Sequence, residues 1–361
     1  MKLNDYDRPL TRAVKELFIE TSLPPVSHCD ERFRNLYYCF CAKCPQFGDG
    51  QDQDSQEFLV CLLQRLREEE EDLVQTIQNS PPLLVYSIFG GQVLNTTSCR
   101  MYNCRYTNKQ DEPFLQILLP IPVTGDLSRA SMVGNKDATV SLITCLDQYI
   151  ELEFLPGRRC DRCCCTGGNK SIRVICAPLI LTISLKRFNA ENKKINDHII
   201  FEETFDLRAY MDDRYVGSDK LEYHLIGVVV HEGSVNTGHC FAYVRGDKSG
   251  GSKEDNEDFT WYCLNDLVVR EVSLGEVLQS QAYMLFYEKR TSAPQTCTPI
   301  SNHGSSKQRH RRSRSTTYGS GKKVSSERPW KSPDEASYSS WRYSSLEDLK
   351  GNGGGRWRSD D

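Results

Sequence analysis

Two kinds of residue in this chain can do chemistry: a histidine at the head of an alternating strand, and cysteines set in closely spaced pairs. The stretch "VNTGHCFAYV", residues 235–244, places His239 behind Gly238 and ahead of an aromatic strand, a position suited to a general base. Further on, "TWYCLNDLVV" puts Asn265 and Asp266 at the end of the next strand. A hairpin lays the two segments side by side, so that Asn265 or Asp266 accepts the imidazole Nδ1–H and turns Nε2 towards a thiol. A structural histidine beside an Asn-Asp turn has the same pattern, and the hairpin alone does not choose between them.

The cysteine pairs point to a metal. Cys160 and Cys163 form a C-x-x-C knuckle in "PGRRCDRCCCTGG", and Cys99 and Cys104 form a C-x4-C pair in "TTSCRMYNCRY". Four thiolates at such spacings, offered from two hairpin tips, suit one tetrahedral Zn2+. A closed shell of four thiolates leaves no open coordination position, so the metal's role is structural. Cys99 is the least regular of the four, and Cys164 and Cys165 compete for its place. Cys41 and Cys44 repeat the C-x-x-C spacing but fall on a helix whose apolar face they help to form.

These residues need elements to hold them. "DSQEFLVCLLQRLREEEEDLVQTI" predicts a helix, with Phe58, Leu62 and Leu66 at i, i+4, i+8 and an Asp54/Glu57 capping pattern at its start. Two earlier helices are predicted around "LTRAVKELFIE" and "DERFRNLYYCFCAKC". From residue 83 the period changes, and "LLVYSIF", "FLQILLPIP", "RVICAPLILTISLKRF", "YHLIGVVVHEG", "HCFAYVRG", "TWYCLND" and "AYMLFYE" read as strands, interrupted by a helix in "VSLITCLDQYIEL". Helices first and mostly antiparallel strands later make an α+β fold. Residues 246–258 read as a hydrophilic loop between two strands of a hairpin.

Composition sets the bounds. The chain has 361 residues, 38% hydrophobic and 26% charged, with 16 cysteines. No apolar run of about 18 residues is present to span a membrane. The opening residues lack the apolar centre of a secretory signal, so the expected location is the cytoplasm, the nucleus or both, where cysteines are mostly thiols or metal ligands. The formal charge of −4 divides unevenly. Residues 291–361 hold 13 Lys/Arg against 7 Asp/Glu, and the remainder holds 32 against 42. An acidic body argues against nucleic acid as its partner. The Ser/Gly/Arg-rich tail has no apolar period and is expected to be disordered. Its "RHRRSRS" reads equally as an import signal, an electrostatic contact or a solvated run.

In order along the chain, "QDQDSQEFLVCLLQRL", "EPFLQILLPIP", "CDRC", "PLILTISLKRF", "YHLIGVVVHEG", "TGHCFAYV", "WYCLNDLVV" and "AYMLFYE" resemble successive blocks of the ubiquitin-specific proteases, papain-like thiol deubiquitinases. The resemblance covers about residues 10–289 and implies a domain over 1–290 with thumb, palm and fingers, followed by the tail 291–361. The thumb would be the helices to about residue 80, the fingers about 83–120 and 150–175 with a zinc ribbon, and the palm the rest. It implies ubiquitin and ubiquitinated proteins as partners and hydrolysis of isopeptide bonds at the ubiquitin C-terminus. His239 would be the base, Asn265 its orienting partner and Asp266 the adjacent acidic position. Asp54 would bind an arginine of the ubiquitin tail, with Gln56 its neighbour on the cleft wall. The family's nucleophile lies in a Gly-Asn-Thr-Cys segment before the "QDSQEF" block, and these 361 residues contain no such segment. Cys29 in "SHCDERF" starts a helix but has no Asn-Thr before it. The resemblance therefore implies either a family enzyme whose sequence here starts inside the thumb, inactive as written, or a ubiquitin-binding pseudoenzyme. It also departs at the first knuckle, where the family's C-x-x-C register would fall on Met101.

Overall fold

The computed structural model describes residues 8–22, 29–74, 83–122, 140–189, 193–214, 221–234, 237–247 and 259–290. The chain divides into two units, Met1–Cys297 and Thr298–Asp361, and every described residue lies in the first. The tail and most of the expected 246–258 loop fall outside the described residues.

Three helices open the chain: α1 (Pro9–Ser22), α2 (Cys29–Lys43) and α3 (Ser55–Val74). Pro9 supplies a φ already suited to the first helical turn. The stripe predicted on α3 is used as expected: Leu62 and Leu66 pack on a cluster of Leu10, Phe40, Cys44 and Phe47. Phe58 meets the Phe40 ring edge-on at 4.8 Å. The Cys44 thiol is thus an apolar filler of this cluster.

The helices are also tied by one carboxylate. Glu69 on α3 is only 3% exposed, yet it accepts from Leu10 N–H (3.2 Å), Thr11 N–H (2.8 Å) and the Thr11 hydroxyl (2.7 Å), and pairs with Lys43 at 3.1 Å. Burial alone would push its pKa up, but these donors bring it below the usual carboxylate range. A lowered folded-state pKa contributes stability above the unfolded value of about 4.3, lost as pH falls through the folded one. The stability gap between wild type and Glu69→Gln is therefore expected to be open at pH 7 and to shrink below about pH 4, read by thermal melts across that range.

The segment "LLVYSIF", expected as a strand, is instead the short helix α4 (Leu84–Phe89). Its first turn is capped from a distance: the Glu70 carboxylate accepts from Leu84 N–H and Val85 N–H, each at 3.2 Å. A short apolar run carries too little period to decide between strand and helix, and this tertiary cap decides it.

A four-stranded antiparallel sheet follows, in order β2–β1–β5–β4, from β1 (Gly91–Cys99), β2 (Thr107–Phe114), β4 (Glu153–Arg159) and β5 (Thr166–Cys176). The second sheet takes β3 (Ile117–Pro120), β6 (Ile180–Lys186), β7 (Thr204–Asp206), β8 (Glu222–Gly233), β9 (Gly238–Asp247), β10 (Phe259–Asn265), β11 (Val268–Val272) and β12 (Ala282–Lys289). Its order is β11–β10–β9–β8–β12–β6–β3, with β7 on β8, and only β3 runs parallel to its neighbour β6. The expected segment 83–120 thus divides among α4, the four-stranded sheet and β3. Helix α5 (Leu142–Ile150) begins at Ser141, whose side chain accepts from Thr144 N–H, and buries Leu142 and Leu146 in the core shared with Leu181, Ile183, Leu225 and Leu285. A final short helix, α6 (Leu274–Leu278), precedes β12. Cys176 is disulfide-bonded, whereas Cys145, Cys240, Cys263 and the knuckle cysteines are free thiols.

Arg187 is fully buried at the end of β6. Its Nε donates to the Ala282 carbonyl (2.6 Å) and its Nη1 to the carbonyls of Ile195 (3.0 Å) and Asp197 (2.9 Å). The 193–199 segment is thereby fixed against β12. From that segment Lys194 donates to the His231 carbonyl at 2.6 Å, which carries the brace to the strands that hold the site.

Candidate active site and metal centre

His239 is the second residue of β9, and the β9–β10 register sets Ala242 opposite Leu264. Side chains alternate across a strand, so His239, Phe241 and Asn265 share one face, with Asn265 diagonal to the histidine. The distances agree: His239 Nε2 lies 2.6 Å from Asn265 Oδ1 and 3.9 Å from Asp266 Oδ2. The imidazole stacks on Phe241 at 6.4 Å. Asp266 turns the chain with φ of +50°, which aims its carboxylate back beside the ring. The expectation of an Nδ1 contact is corrected, because the nitrogen presented to Asn265 is Nε2. An amide oxygen only accepts, so this contact puts the hydrogen on Nε2 and leaves the basic lone pair on Nδ1.

The histidine borders an open depression of about 360 Å³, lined by Asp52, Glu232, Gly233, Thr237, Gly238 and His239. Glycine is needed at two of these positions. Gly233 has φ of +92°, and at Gly238 a Cβ would lie 2.1 Å from His231 Nε2. The His231 ring cannot swing away freely: it meets Phe188 edge-on at 5.5 Å and lies 6.0 Å from the Tyr283 ring. Gly238→Ala is expected to destabilise the protein by about 1–3 kcal/mol through overpacking, measurable as a lower unfolding midpoint in denaturant.

Asp52, on the wall of the depression, leads into the start of α3. Asp54 Oδ1 accepts from Gln56 N–H (2.8 Å) and Glu57 N–H (2.9 Å), the expected cap, while Oδ2 accepts from the Tyr283 hydroxyl at 2.6 Å. The carboxylate is thus fixed between a helix terminus and β12, with half-buried Gln56 in the first turn. Ser55 touches the Cys240 thiol at 3.8 Å and Met284 Sδ at 4.0 Å. Cys240 follows His239 on the strand and so faces the opposite side of the sheet; burial pushes its pKa up. Among the described residues, the polar partners of the His239 ring are Asn265 and Asp266, and no cysteine. Cys29 is the first residue of α2.

Tyr283, His231 and Lys194 were not singled out in the sequence. His231 has an Nδ1 without a hydrogen-bond partner among the described residues. Burial first, and then the Lys194 ammonium, hold its imidazole below the usual histidine range. Tyr283 sits in a strand motif with nothing to distinguish it from core aromatics, and its contact spans 229 positions of sequence.

The four knuckle cysteines come together at the far end of the four-stranded sheet. Cys99 ends β1, Cys104 lies in the turn to β2, and Cys160 and Cys163 lie in the turn from β4 to β5. All four Sγ atoms fall within 4.8 Å of one another, with Cys99–Cys163 and Cys104–Cys160 each at 3.6 Å. Thiolates about 2.3 Å from a tetrahedral zinc are spaced by about 3.8 Å, so the cluster fits that ion closely. Two backbone amides point at sulfur, Met101 N–H at Cys99 and Arg162 N–H at Cys160, both at 3.4 Å. The Cys165 N–H brings the Cys163 thiol down to about 6, and the Cys163 N–H lowers Cys160. Cys99 is pulled down by the Met101 N–H, yet desolvation and the neighbouring thiols carry it up to about 12. Four crowded thiols cannot all ionise alone, and a divalent cation removes that conflict. Cys99 is the fourth member of the cluster, and neither Cys164 nor Cys165 belongs to it; Cys164 is exposed at φ of +60°. Met101, where a C-x-x-C register would put a ligand, is half exposed.

Comparison with known proteins places this geometry. The family described as ubiquitin carboxyl-terminal hydrolase matches residues 7–287. Ubiquitin carboxyl-terminal hydrolase 19 of Arabidopsis thaliana is 34% identical over 264 residues, which is 68% of this chain and 34% of that protein. Ubiquitin carboxyl-terminal hydrolase 1 of the same plant is 41% identical over 130 residues, 34% of this chain and 12% of that protein. The chain thus spans about a third or less of the length of these relatives. Among solved structures, the SAGA Ubp8/Sgf11/Sus1/Sgf73 DUB module bound to ubiquitin aldehyde matches with a TM-score of 0.62 at 24% identity, over 80% of this chain and 61% of that one. A Ubp8 variant of that module bound to monoubiquitin gives 0.61 at 25% identity, over 79% and 59%. The fold is that of the ubiquitin-specific protease domain, with its helical thumb, its palm sheet and its fingers. By the match across most of its length, the chain belongs to the ubiquitin carboxyl-terminal hydrolase family.

Proposed function

We propose that this chain carries the ubiquitin-binding cleft and the general base of a cysteine deubiquitinase, and that its 361 residues alone bind ubiquitin without hydrolysing conjugates. The observation that carries the proposal is one depression lined both by His239, held by Asn265, and by Asp52, two residues before the Asp54-capped start of α3. An anchored carboxylate at a cleft entrance suits a cationic peptide, and an oriented imidazole at its end suits proton transfer to and from an acyl group. Asn265 fixes the tautomer, Asp266 adds negative charge near the imidazolium, and Gln56 lines the helix side of the path. Ubiquitin is the partner in the solved relatives' complexes, which supports it as the ligand here. The acyl-transfer step itself needs a thiolate, and the Gly-Asn-Thr-Cys segment that supplies it in the family does not occur in these residues.

Cys99, Cys104, Cys160 and Cys163 would hold one Zn2+, which would crosslink the two turns at the finger tip and take no part in the chemistry. These residues keep the tip ordered while the ligand lies along the sheet.

Asp54 supplies the direct experiment. Asn caps a helix as well as Asp, so Asp54→Asn should leave the melting temperature within a few degrees of wild type. Loss of the charge-assisted contact to an arginine of the ubiquitin tail should weaken ubiquitin binding about tenfold or more. Calorimetric titration with ubiquitin reads this directly; equal affinities would reduce Asp54 to a cap.

A further inference from the structure

The tip of the four-stranded sheet carries a feature that the cleft and the metal centre do not use. Five arginines, Arg100, Arg105, Arg158, Arg159 and Arg162, lie within two residues of the four clustered cysteines, and all five are exposed. Because those sulfurs sit within 4.8 Å of one another, the five arginines emerge from one small knob. Their local acidic neighbour is Asp161, which takes Arg158 at 4.0 Å and the Tyr106 hydroxyl at 3.0 Å. Four thiolates around a divalent cation carry two net negative charges. Five guanidiniums exceed that pair and Asp161 together, so the knob stays positive when loaded with metal. It does so on a body whose Asp/Glu outnumber its Lys/Arg by 42 to 32.

The knob also exposes large side chains. Tyr102 is 92% exposed, Met101 50% and Phe154 48%. Arg100 lies over the Phe154 ring, 4.6 Å from its centroid, and Arg162 donates to the Cys104 carbonyl at 3.3 Å. These contacts hold two of the guanidiniums in place without burying them. Arg, Tyr, Met and Phe are the residues enriched at the centres of protein interfaces, and a preset arrangement lowers the entropy lost on docking.

We propose that this arginine-rich finger tip is a docking surface for an acidic segment of a protein partner other than ubiquitin, with Tyr102 and Phe154 receiving an apolar side chain of that segment. Charge complementarity identifies the partner's sign, and the interleaved apolar groups identify its class. A nucleic acid gains affinity with the number of phosphates neutralised, and the tetrathiolate core and acidic body work against a long phosphate track here. An acidic peptide with an aromatic or aliphatic anchor meets both features at once. The proposal extends the deubiquitinase reading by giving the domain a second contact, remote in sequence from His239 and Asp54. It does not depend on turnover.

The test uses the full zinc-loaded chain and a fluorescein-labelled synthetic peptide of aspartates and glutamates around a Leu-Phe pair. Saturable binding is expected, falling steeply with added salt. Arg158→Glu/Arg159→Glu should weaken it at least tenfold, and Tyr102→Ala several-fold, with zinc content and melting temperature unchanged. Tyr102 is almost wholly exposed, so its variant remains informative even where the double charge reversal disturbs folding. Ubiquitin binding should be the same in wild type and both variants. Absence of saturable peptide binding, or equal binding by the variants, overturns the proposal. Tighter binding of a single-stranded oligonucleotide or of anionic lipid vesicles to the same arginines overturns it too. A parallel loss of ubiquitin affinity would place the tip within the ubiquitin surface and refute a separate partner, whereas failure of wild type to bind ubiquitin at all strikes the deubiquitinase reading and not this one.

Discussion

Cys160→Ser/Cys163→Ser is expected to abolish stoichiometric zinc and to unfold the finger end of the domain while sparing the palm. The sulfur cluster joins turns 56–64 positions apart in the chain. Around it the sheet has little core of its own: every residue of β4 except half-buried Leu155 is exposed, and no residue of β2 is buried. Of the sheet's buried side chains, Val93, Ile172 and Val174 lie at its other end and join the main core. Structural zinc contributes roughly 10 kcal/mol or more of binding free energy in small zinc-finger peptides, most of which is linked to folding. A loss of that size confined to the tip should appear as local opening, not global collapse. Amide exchange should lose protection in residues 97–107 and 155–168, with β8, β9 and β12 protected as before. Elemental analysis should fall from one zinc per chain to none, and a chelator applied to wild type should reproduce the exchange pattern. Unchanged protection at the tip in the variant would remove the metal from the account of its stability.

How much of this was legible in the sequence follows from how local each feature is. The cysteine cluster was readable because its spacings are short and each pair sits in one turn, so the chain itself holds the ligands close. That Cys99 and not Cys164 or Cys165 joins the cluster was left open by the sequence, because all three lie close enough in the chain to compete. That Asn265 or Asp266 would meet His239 followed from one hairpin, and the choice of Asn265 came with the family resemblance, but which ring nitrogen faces Asn265 depends on side-chain rotation, which no spacing encodes. Helix α4 was misread as a strand because its cap, Glu70, comes from another helix. Tyr283 and His231 escaped for a related reason. Their meaning arises only when β12 and β8 are packed against α3 and Gly238, and on the sequence they look like ordinary core residues. Asp54 was legible as a cap from its neighbours, whereas its tie to Tyr283 was not.

The second large effect concerns chemistry. An imidazole held by Asn265 can take or give a proton, and Asp266 can steady the imidazolium, but neither can form the acyl intermediate. In a well-studied serine protease, removal of the nucleophile costs about a millionfold in kcat, and what remains comes from binding and oxyanion contacts. Cys240 does not fill the role, because alternation turns it through the sheet towards Ser55 and burial keeps it a thiol. The same cleft joined to an upstream Gly-Asn-Thr-Cys segment is expected to turn over, and His239→Ala to abolish that activity. The direct measurement is a ubiquitin probe with a C-terminal electrophile, applied to the 361-residue chain and to the extended form and read by intact mass. The extended form should gain one ubiquitin, whereas the 361-residue chain should bind the probe reversibly and stay unlabelled. A covalent adduct on the 361-residue chain, mapped to Cys29, Cys240 or any other of its cysteines, would contradict the account and identify a relocated nucleophile.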